Sequence, residues 1–292
     1  MARGSEVLTT SHSYRPTGDE PYRVERVEMT DPVAVGRSVA DFAPDVVVHC
    51  AILNDWARMY ADRHHAWDAY VEATRVTAEA AADAGAAYVL ISTDWVFDGT
   101  QGGADEGTPP NPINLYGVLK VASELVALDR GGAVARVSGV NGLHRARPDT
   151  PRAQDPGFGY FVASAVDSLR RDEPFTVWES GNINMVATPS LATESAELAL
   201  RIGDRRLGGI FHCCGGEAAT RMELARLACE VFELDPELLR SGPPPPNVMP
   251  AGPVPYDTSI TMPRTADLLD HTPTPVRVLL ERFREEYDAV AA

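Results

Sequence analysis

The amino-acid sequence predicts an α/β fold built on a doubly wound parallel sheet, with a second, smaller α/β subdomain towards its carboxyl end. In the first half, short runs of β-branched and aliphatic residues alternate with longer, alanine-rich helical segments. The short runs are apolar at consecutive positions, as expected of strands that are buried on both faces. The 292 residues are enough for one large domain, or for one domain with a smaller partner.

The first half shows strand and helix patterns in strict succession. Asp31 and Pro32 are typical of a helix start, and Gly85 is typical of a helix end. The predicted strands are Glu6–Thr10, Asp45–Ala51, Ala87–Ser92 and Gly132–Val137, and the predicted helices are Val33–Phe42, Trp67–Ala84 and Asn114–Leu128. This alternation indicates parallel strands with helices on both faces of the sheet.

The second half has fewer strands and more irregular connections. Its predicted helices are Phe158–Arg170, Thr188–Ile202, Arg221–Phe232 and Val276–Val290, and its predicted strands are Phe175–Trp178 and Gly209–Cys214. We therefore expect residues 1–140 to form the first domain. Residues 141–292 mainly form the subdomain, and segments around 185–215 return to the main sheet. The four prolines Pro243–Pro246 predict an extended surface loop.

Composition and charge narrow the class of partner. The chain has 26 basic and 42 acidic residues, a net charge of −16, which disfavours nucleic acid as a partner. The first twenty residues contain no apolar core of a secretory signal, and no apolar run reaches the roughly 18 residues of a membrane span. We expect a cytoplasmic protein without a membrane segment. Adjacent side chains of a strand, as in His212–Cys214, face opposite ways, so we expect no metal site.

A tyrosine and a lysine provide the strongest chemical pattern. Lys120 is the only lysine among the 26 basic residues. It lies four positions after Tyr116 in a predicted helix, so both side chains face the same way. An ammonium group lowers the pKa of a nearby phenol from about 10, which allows proton exchange with a carbonyl or an alcohol near neutral pH. Thr93 ends the preceding strand, where α/β sheets bind ligands, and its hydroxyl can hold the same oxygen.

Several stretches together resemble a known family. They are TDP at 30–32, PDVVVHCA at 44–51, ATRVTAEAAADAGA at 73–86, STDWVFDGT at 92–100, NPINLYGVLK at 111–120 and ARVSGVNG at 135–142. Weaker matches are ATPS at 187–190, GGIFHCCGGEAATRMELA at 208–225 and YDTSITMPRTADLL at 256–269. On these stretches the chain resembles the extended short-chain dehydrogenases/reductases. Within that group it is most similar to the dTDP-4-dehydrorhamnose reductases and related sugar-nucleotide-binding reductases.

The resemblance implies a Rossmann-like cofactor domain, a sugar-nucleotide-binding subdomain and NAD(P)-dependent reduction of a nucleotide-linked 4-keto sugar. It implies Thr93, Tyr116 and Lys120 as the catalytic set, with NADP(H) as the preferred cofactor and NAD(H) as the alternative. Trp95 stands where related dehydratases carry an acidic residue. This favours a reductase over an epimerase or a dehydratase, which stays open as an alternative. The family also implies a possible homodimer.

Expectations for individual binding residues are weaker. Besides Tyr116 and Lys120, the candidates for cofactor binding are Ser11, His12, Arg15, Asp31, Cys50 and Ala51. Arg15, after the predicted strand Glu6–Thr10, suits the 2′-phosphate of NADP, although a loop arginine without that role explains it equally well. Asp31 is equally well explained as a helix cap. The candidates for substrate binding are Trp95, Asn141, Asn184, Thr188 and Arg221.

The chain also departs from the family pattern. Its members begin with a strand and a GxxGxxG turn, whose amides hold the cofactor pyrophosphate, and a βα unit of about 25 residues of this kind is missing here. We expect a truncated sequence, because Thr93, Tyr116 and Lys120 are present. The alternative is a non-catalytic sugar-nucleotide-binding or regulatory protein that has lost this loop. Tyr70 replaces a family asparagine, and Gly139 replaces a bulky pocket residue.

Overall fold

Parallel strands form the centre of the first half. The structure is a computed structural model that describes residues 4–12, 20–143 and 153–291. Its strands are β1 (Leu8–Ser11), β2 (Arg23–Arg26), β3 (Val46–His49), β4 (Ala87–Thr93), β5 (Ala133–Val137), β6 (Val140–Asn141), β7 (Phe175–Trp178), β8 (Val186–Ala187), β9 (Ser190–Leu191), β10 (Gly209–His212), β11 (Ala219–Thr220) and β12 (Leu239–Gly242). The main sheet is all parallel, in the order β10-β5-β4-β3.

Helices cover both faces of this sheet. The α-helices of the described ranges, which include those of the second half, are α1 (Pro32–Phe42), α2 (Trp56–Ala61), α3 (Arg63–Trp67), α4 (Ala73–Asp83), α5 (Leu115–Asp129), α6 (Phe161–Leu169), α7 (Ala192–Asp204), α8 (Arg221–Phe232), α9 (Pro263–Leu269) and α10 (Val276–Ala291). Tyr88 and Leu90 of β4 pack against α4 and α5. Val89, between them, faces the opposite side and packs with α7. The alternation along one strand therefore buries both faces, which is the doubly wound arrangement expected from the sequence.

The first two strands form a separate sheet. β1 pairs in parallel with β2, and β1 and β3 belong to different sheets. Helix α1 joins this small sheet to the rest of the molecule, because it packs along α4. The contact is made by a small apolar cluster that includes Val27, Val35, Val76 and Ala80. The β1–β2 unit is thus attached through helices rather than through strand hydrogen bonds.

The second half builds its own core beside the sheet. Phe161 of α6, Leu224 of α8 and Phe283 of α10 are fully buried in one apolar cluster. Two short pairings link this core to the main sheet side. β6 runs parallel with β9, and β8 pairs antiparallel with β11. The residues between 185 and 215 therefore contribute to both halves, since α7 and β10 pack with the main sheet.

The outer strand β10 is covered by an arginine. The guanidinium of Arg264, on α9, donates hydrogen bonds to the carbonyls of Ile210 and Gly208. The hydroxyl of Thr265 accepts a hydrogen bond from the His212 amide at 3.0 Å. Backbone groups at a sheet edge that would otherwise lack protein partners are thereby satisfied.

Several elements, most of them short, differ from the sequence expectations. The predicted helix Trp67–Ala84 is divided by a π-helical turn at Asp68–Glu72. Strand β2 and helix α2 have no counterpart among the predicted elements, because four and six residues are too few for a clear periodic pattern. Within the described ranges, we find no helix with both the length and the apolar character needed to cross a bilayer.

Candidate active site

The start of α5 lies directly against the end of β4. Asn114 caps this helix, since its side-chain oxygen accepts a hydrogen bond from the Gly117 amide at 2.8 Å. Gly117 is required by the close approach, because a Cβ atom there would lie 2.4 Å from the carbonyl oxygen of Trp95. The first turns of α5 therefore place Tyr116 and Lys120 beside Thr93 at the carboxyl end of the sheet.

Thr93, Tyr116 and Lys120 come together as the sequence predicts. The Thr93 hydroxyl lies beside the Tyr116 phenol, whose pKa it acts to lower. The Lys120 side chain is only 4% exposed, and its Nζ donates to the Ile91 carbonyl at 2.9 Å. Burial lowers the pKa of Lys120 to about 8, against the opposing charges of Cys50 and Glu124. Below that pH the site therefore contains an ammonium group.

Aromatic rings surround Tyr116. The ring centroids of Trp56, Tyr70 and Trp95 lie 5.8, 5.9 and 6.1 Å from that of Tyr116. Burial raises the pKa of the Tyr116 phenol above its ordinary value, and the charges of Asp94 and Asp155 act in the same direction. This direction is opposite to the expected lowering by Lys120, because loss of water around the phenol dominates and Lys120 is not among the causes of the shift. Tyr116 thus holds its proton at neutral pH, which suits a proton donor.

Asp94 ties the site to the second half of the chain. Its carboxylate is 4% exposed and accepts hydrogen bonds from Thr93 at 3.0 Å, Ser138 at 2.8 Å and Thr258 at 2.5 Å. Burial nevertheless raises the pKa of Asp94 to about 6, since three neutral donors replace only part of its hydration. Ser138 follows β5 and Thr258 lies more than 100 residues further along, so one carboxylate connects three distant segments.

We predict that replacing Asp94 with asparagine removes a pH dependence of stability. The folded pKa of about 6 exceeds the ordinary value near 4, so between these values the folded state binds the proton more tightly. The stabilisation is complete below about pH 4 and is lost as the pH rises through 6. Between pH 4 and 6.5, Asp94→Asn should gain about 2–3 kcal/mol in unfolding free energy relative to the unmodified chain. Urea unfolding measures this, with exposed Asp129→Asn as the control, and equal pH profiles for both variants would contradict the assignment.

One side of the site is open to solvent. Asp155 is exposed, and the backbone at Gly157 and Gly159 lies against its carboxylate. A Cβ atom at Gly157 would lie 3.2 Å from the Trp95 ring, so the 155–159 loop borders the aromatic cluster. Asp155 is therefore an accessible charged group that a ligand on this side of the site would contact.

Four of the five predicted substrate residues are buried and bonded within the protein. Asn141, Asn184, Thr188 and Arg221 are 5%, 1%, 2% and 0% exposed. Arg221 illustrates the pattern, since its guanidinium donates to the carbonyls of Asn184, Asp155 and Gly157 and to the Gln154 side chain. These side chains bind backbone segments of the second half, and in this conformation they have no surface for direct contact with a ligand. Trp95 alone belongs to the cluster around Tyr116.

The predicted cofactor residues lie in three places. Cys50 and Ala51 follow β3 and are exposed, and the charge of Cys50 acts on Lys120. Asp31 caps α1, accepting from the Val33 and Ala34 amides at 2.9 and 3.2 Å. Ser11 and His12 end β1, where the His12 ring lies 3.3 Å from a Glu28 oxygen. Arg15 lies outside the described residues.

Trp56, Tyr70 and Asp94 belong to the site and were not among the predicted residues. Asp94 had the clearest signal, since it is the third residue of the STD stretch. Tyr70 stands out in the sequence only because it replaces a family asparagine. Trp56 carries no signal, because its position depends on the short helix α2, which the sequence does not indicate.

Comparisons with known proteins match most of the chain. A family model described as "RmlD substrate binding domain" matches residues 3–286. The "Methionine adenosyltransferase 2 subunit beta" of Xenopus tropicalis is 30% identical over 227 residues, which are 75% of this chain and 64% of that protein. The chain thus spans less than two thirds of the length of this relative. A "Probable low-salt glycan biosynthesis reductase" of Haloferax volcanii is 30% identical over 242 residues, covering 82% of this chain and 76% of the relative.

A solved structure has the same fold. It is the dTDP-4-dehydrorhamnose reductase of Bacillus anthracis in complex with NADP, with a TM-score of 0.77 and 20% identity. The similarity covers 96% of this chain and 99% of that one. The doubly wound sheet and the added subdomain are therefore shared along almost the whole chain.

Proposed function

Because the chain belongs to the family of the RmlD substrate binding domain, we propose that it is an NAD(P)-dependent reductase of the 4-keto group of a nucleotide-linked sugar. The observation that carries this proposal is the convergence of Thr93, Tyr116 and Lys120 at the carboxyl end of β4. A proton donor, a hydroxyl beside it and a buried ammonium at that edge are the groups that carbonyl reduction requires.

Each of the three side chains has a distinct role in this proposal. The nicotinamide, when bound, supplies the hydride to the carbonyl carbon. Tyr116 donates its phenolic proton to the carbonyl oxygen, and its raised pKa keeps that proton available at neutral pH. The Thr93 hydroxyl orients the same oxygen, since it lies beside the phenol. The Lys120 ammonium favours the phenolate that forms when the proton has left.

The described residues fit one end of a nicotinamide cofactor. Lys120 and the exposed Cys50 and Ala51 provide a cation and small side chains where the nicotinamide ribose would lie. In the described ranges, no glycine-rich turn precedes a helix after β1, β2 or β3 to hold a pyrophosphate. We propose NADP(H) as the preferred cofactor and NAD(H) as the alternative, which the NADP complex of the Bacillus anthracis reductase supports.

The remaining expectations are part of the same proposal. The sugar nucleotide enters on the open side near Asp155 and contacts Trp95, with the second half as its binding subdomain beyond about residue 140. The buried Asn141, Asn184, Thr188 and Arg221 then shape that subdomain from inside. A cytoplasmic location and a homodimer complete the proposal.

A second candidate is a non-catalytic subunit on the same fold. It is favoured by the 30% identity to the methionine adenosyltransferase 2 subunit beta of Xenopus tropicalis, whose name describes a subunit. The Trp56 ring packed on Tyr116 and Trp95 also leaves the phenol only partly accessible. In this alternative the chain binds a nucleotide or a protein partner and performs no hydride transfer.

Cofactor titration separates the two candidates, and we predict saturable binding. NADPH fluorescence excited through Trp56 and Trp95 should saturate with a Kd in the micromolar range, about −8 kcal/mol, and NADH should bind more weakly. Lys120→Met should weaken binding because it removes a buried cation beside the ribose position, whereas exposed Arg240→Met serves as the control. Absence of binding at millimolar NADPH, with turnover also absent, would reject the reductase and favour the subunit.

A further inference from the structure

A π-helical turn directs Tyr70 into the site. Asp68–Glu72 forms this turn between α3 and α4, and Tyr70 at its centre is 3% exposed. The wider turn is stabilised locally, since the Thr74 hydroxyl donates to the Tyr70 carbonyl at 2.7 Å. Single π-turns within α-helices are rare and are frequent at functional sites, because they rotate one side chain out of the regular spacing.

The Tyr70 ring faces both members of the Tyr116–Lys120 pair. The Nζ atom of Lys120 lies 5.6 Å from the Tyr70 ring centroid, within the range of a cation–π interaction. The Tyr116 ring meets the same ring edge-on, with centroids 5.9 Å apart and planes at 75°. The Tyr70 hydroxyl donates to the Leu53 carbonyl at 3.1 Å, which fixes the orientation of the ring.

Lys120 has few other groups to stabilise its charge. The Ile91 carbonyl accepts one hydrogen bond from Nζ, and among the described residues no carboxylate is within ion-pair distance of this atom. Glu124, one turn further along α5, engages Arg136 instead. At the end of β3, burial and the Lys120 charge lower the pKa of His49 to about 3, so that neighbour is neutral. Cys50 completes the set of titratable groups facing the ammonium.

We propose that Tyr70 is a positioning residue that holds the Lys120 ammonium beside Tyr116 through the face of its ring. The ring supplies an electrostatic partner that is itself uncharged, and it excludes water from the ammonium on that side. The consequence for turnover rests on the proposed reductase function. The contact between Tyr70 and Lys120, and the titration of Lys120, do not depend on that function.

The single lysine makes the test direct. With lysine labelled by ¹³C at Cε, the protein gives one lysine NMR signal, which belongs to Lys120 and whose shift reports its titration. In Tyr70→Leu the pKa of Lys120 should fall by about half a unit or more, about a threefold change in its protonation equilibrium. Val71→Ala is the matched control, because Val71 is a buried residue of the same turn and apolar cluster and should leave the titration unchanged.

A graded series covers the case in which Tyr70→Leu does not fold. Tyr70→Phe keeps the ring and should preserve the Lys120 pKa, and increasingly fluorinated phenylalanines at position 70 keep the shape but weaken the ring face. The Lys120 pKa should fall steadily with fluorination. A titration that is unchanged along the series would overturn the proposal. Because the titration is carried out without cofactor or substrate, its outcome is independent of whether the chain catalyses reduction.

Discussion

Tyr116→Phe should lower kcat for reduction of a nucleotide-linked 4-keto sugar by about 10²–10⁴-fold, the usual contribution of a positioned proton donor. The substitution removes one oxygen atom and keeps the ring. The contacts with Trp56, Tyr70 and Trp95, at centroid distances of 5.8–6.1 Å, are therefore preserved. KM should change little, because the packing around the site remains. The rate is followed by the absorbance of the reduced nicotinamide.

Tyr256→Phe is the matched control for this prediction. Tyr256 is 50% exposed, and its described hydrogen bonds use the main chain, so losing the phenol oxygen should leave kcat unchanged. Circular dichroism shows whether both variants keep the native fold. A Tyr116→Phe enzyme with turnover within a few-fold of the unmodified chain would remove Tyr116 from the proton-transfer role.

Glu124→Ala should cost about 3–5 kcal/mol of unfolding free energy, because it leaves a buried cation without its counter-charge. Arg136 is 0% exposed and makes two hydrogen bonds to the Glu124 carboxylate, of 2.9 and 2.6 Å. Ser92 donates a third, at 2.5 Å, to the same group. Urea denaturation at neutral pH measures the loss.

The paired substitution tests whether the loss comes from an isolated charge. Glu124→Leu combined with Arg136→Met replaces both ions with apolar groups, and it should recover most of the stability that Glu124→Ala loses. At the surface, Asp288→Ala removes the half-exposed carboxylate that pairs with Arg170 and Arg284, and it should cost less than about 1 kcal/mol. Equal losses at the two pairs would show that burial does not control the effect.

The doubly wound sheet was predictable because its strands carry their own pattern. Ala87–Thr93 is largely buried on both faces and Val46–His49 is partly buried, so apolar residues occur consecutively and stand out from the helices between them. The prediction of the fold class from such runs, and of the family from the wider resemblance, is confirmed. Tyr116 and Lys120 were identifiable for a similar reason, since a spacing of four in a helix places two side chains together without any tertiary information.

The partners of that pair were not predictable from spacing. Tyr70 reaches Lys120 only because a π-turn alters the helical phase between α3 and α4, and a periodic pattern contains no sign of such a turn. The polar residues of the second half were not predictable for another reason. Arg221 and Asn184 bind main-chain carbonyls, and a sequence does not distinguish a buried donor that satisfies the backbone from one that faces a cleft.

Arg264 of α9, which binds the outer edge of β10, makes the two edges of the main sheet different. With Arg264 bonded to the carbonyls of Gly208 and Ile210, two of the acceptors that an added strand would use at that end are occupied. Growth of the sheet by strand addition is then favoured at the β3 end. A sheet that can be extended at one end only forms pairs when copies meet edge to edge, and it does not propagate into a fibre.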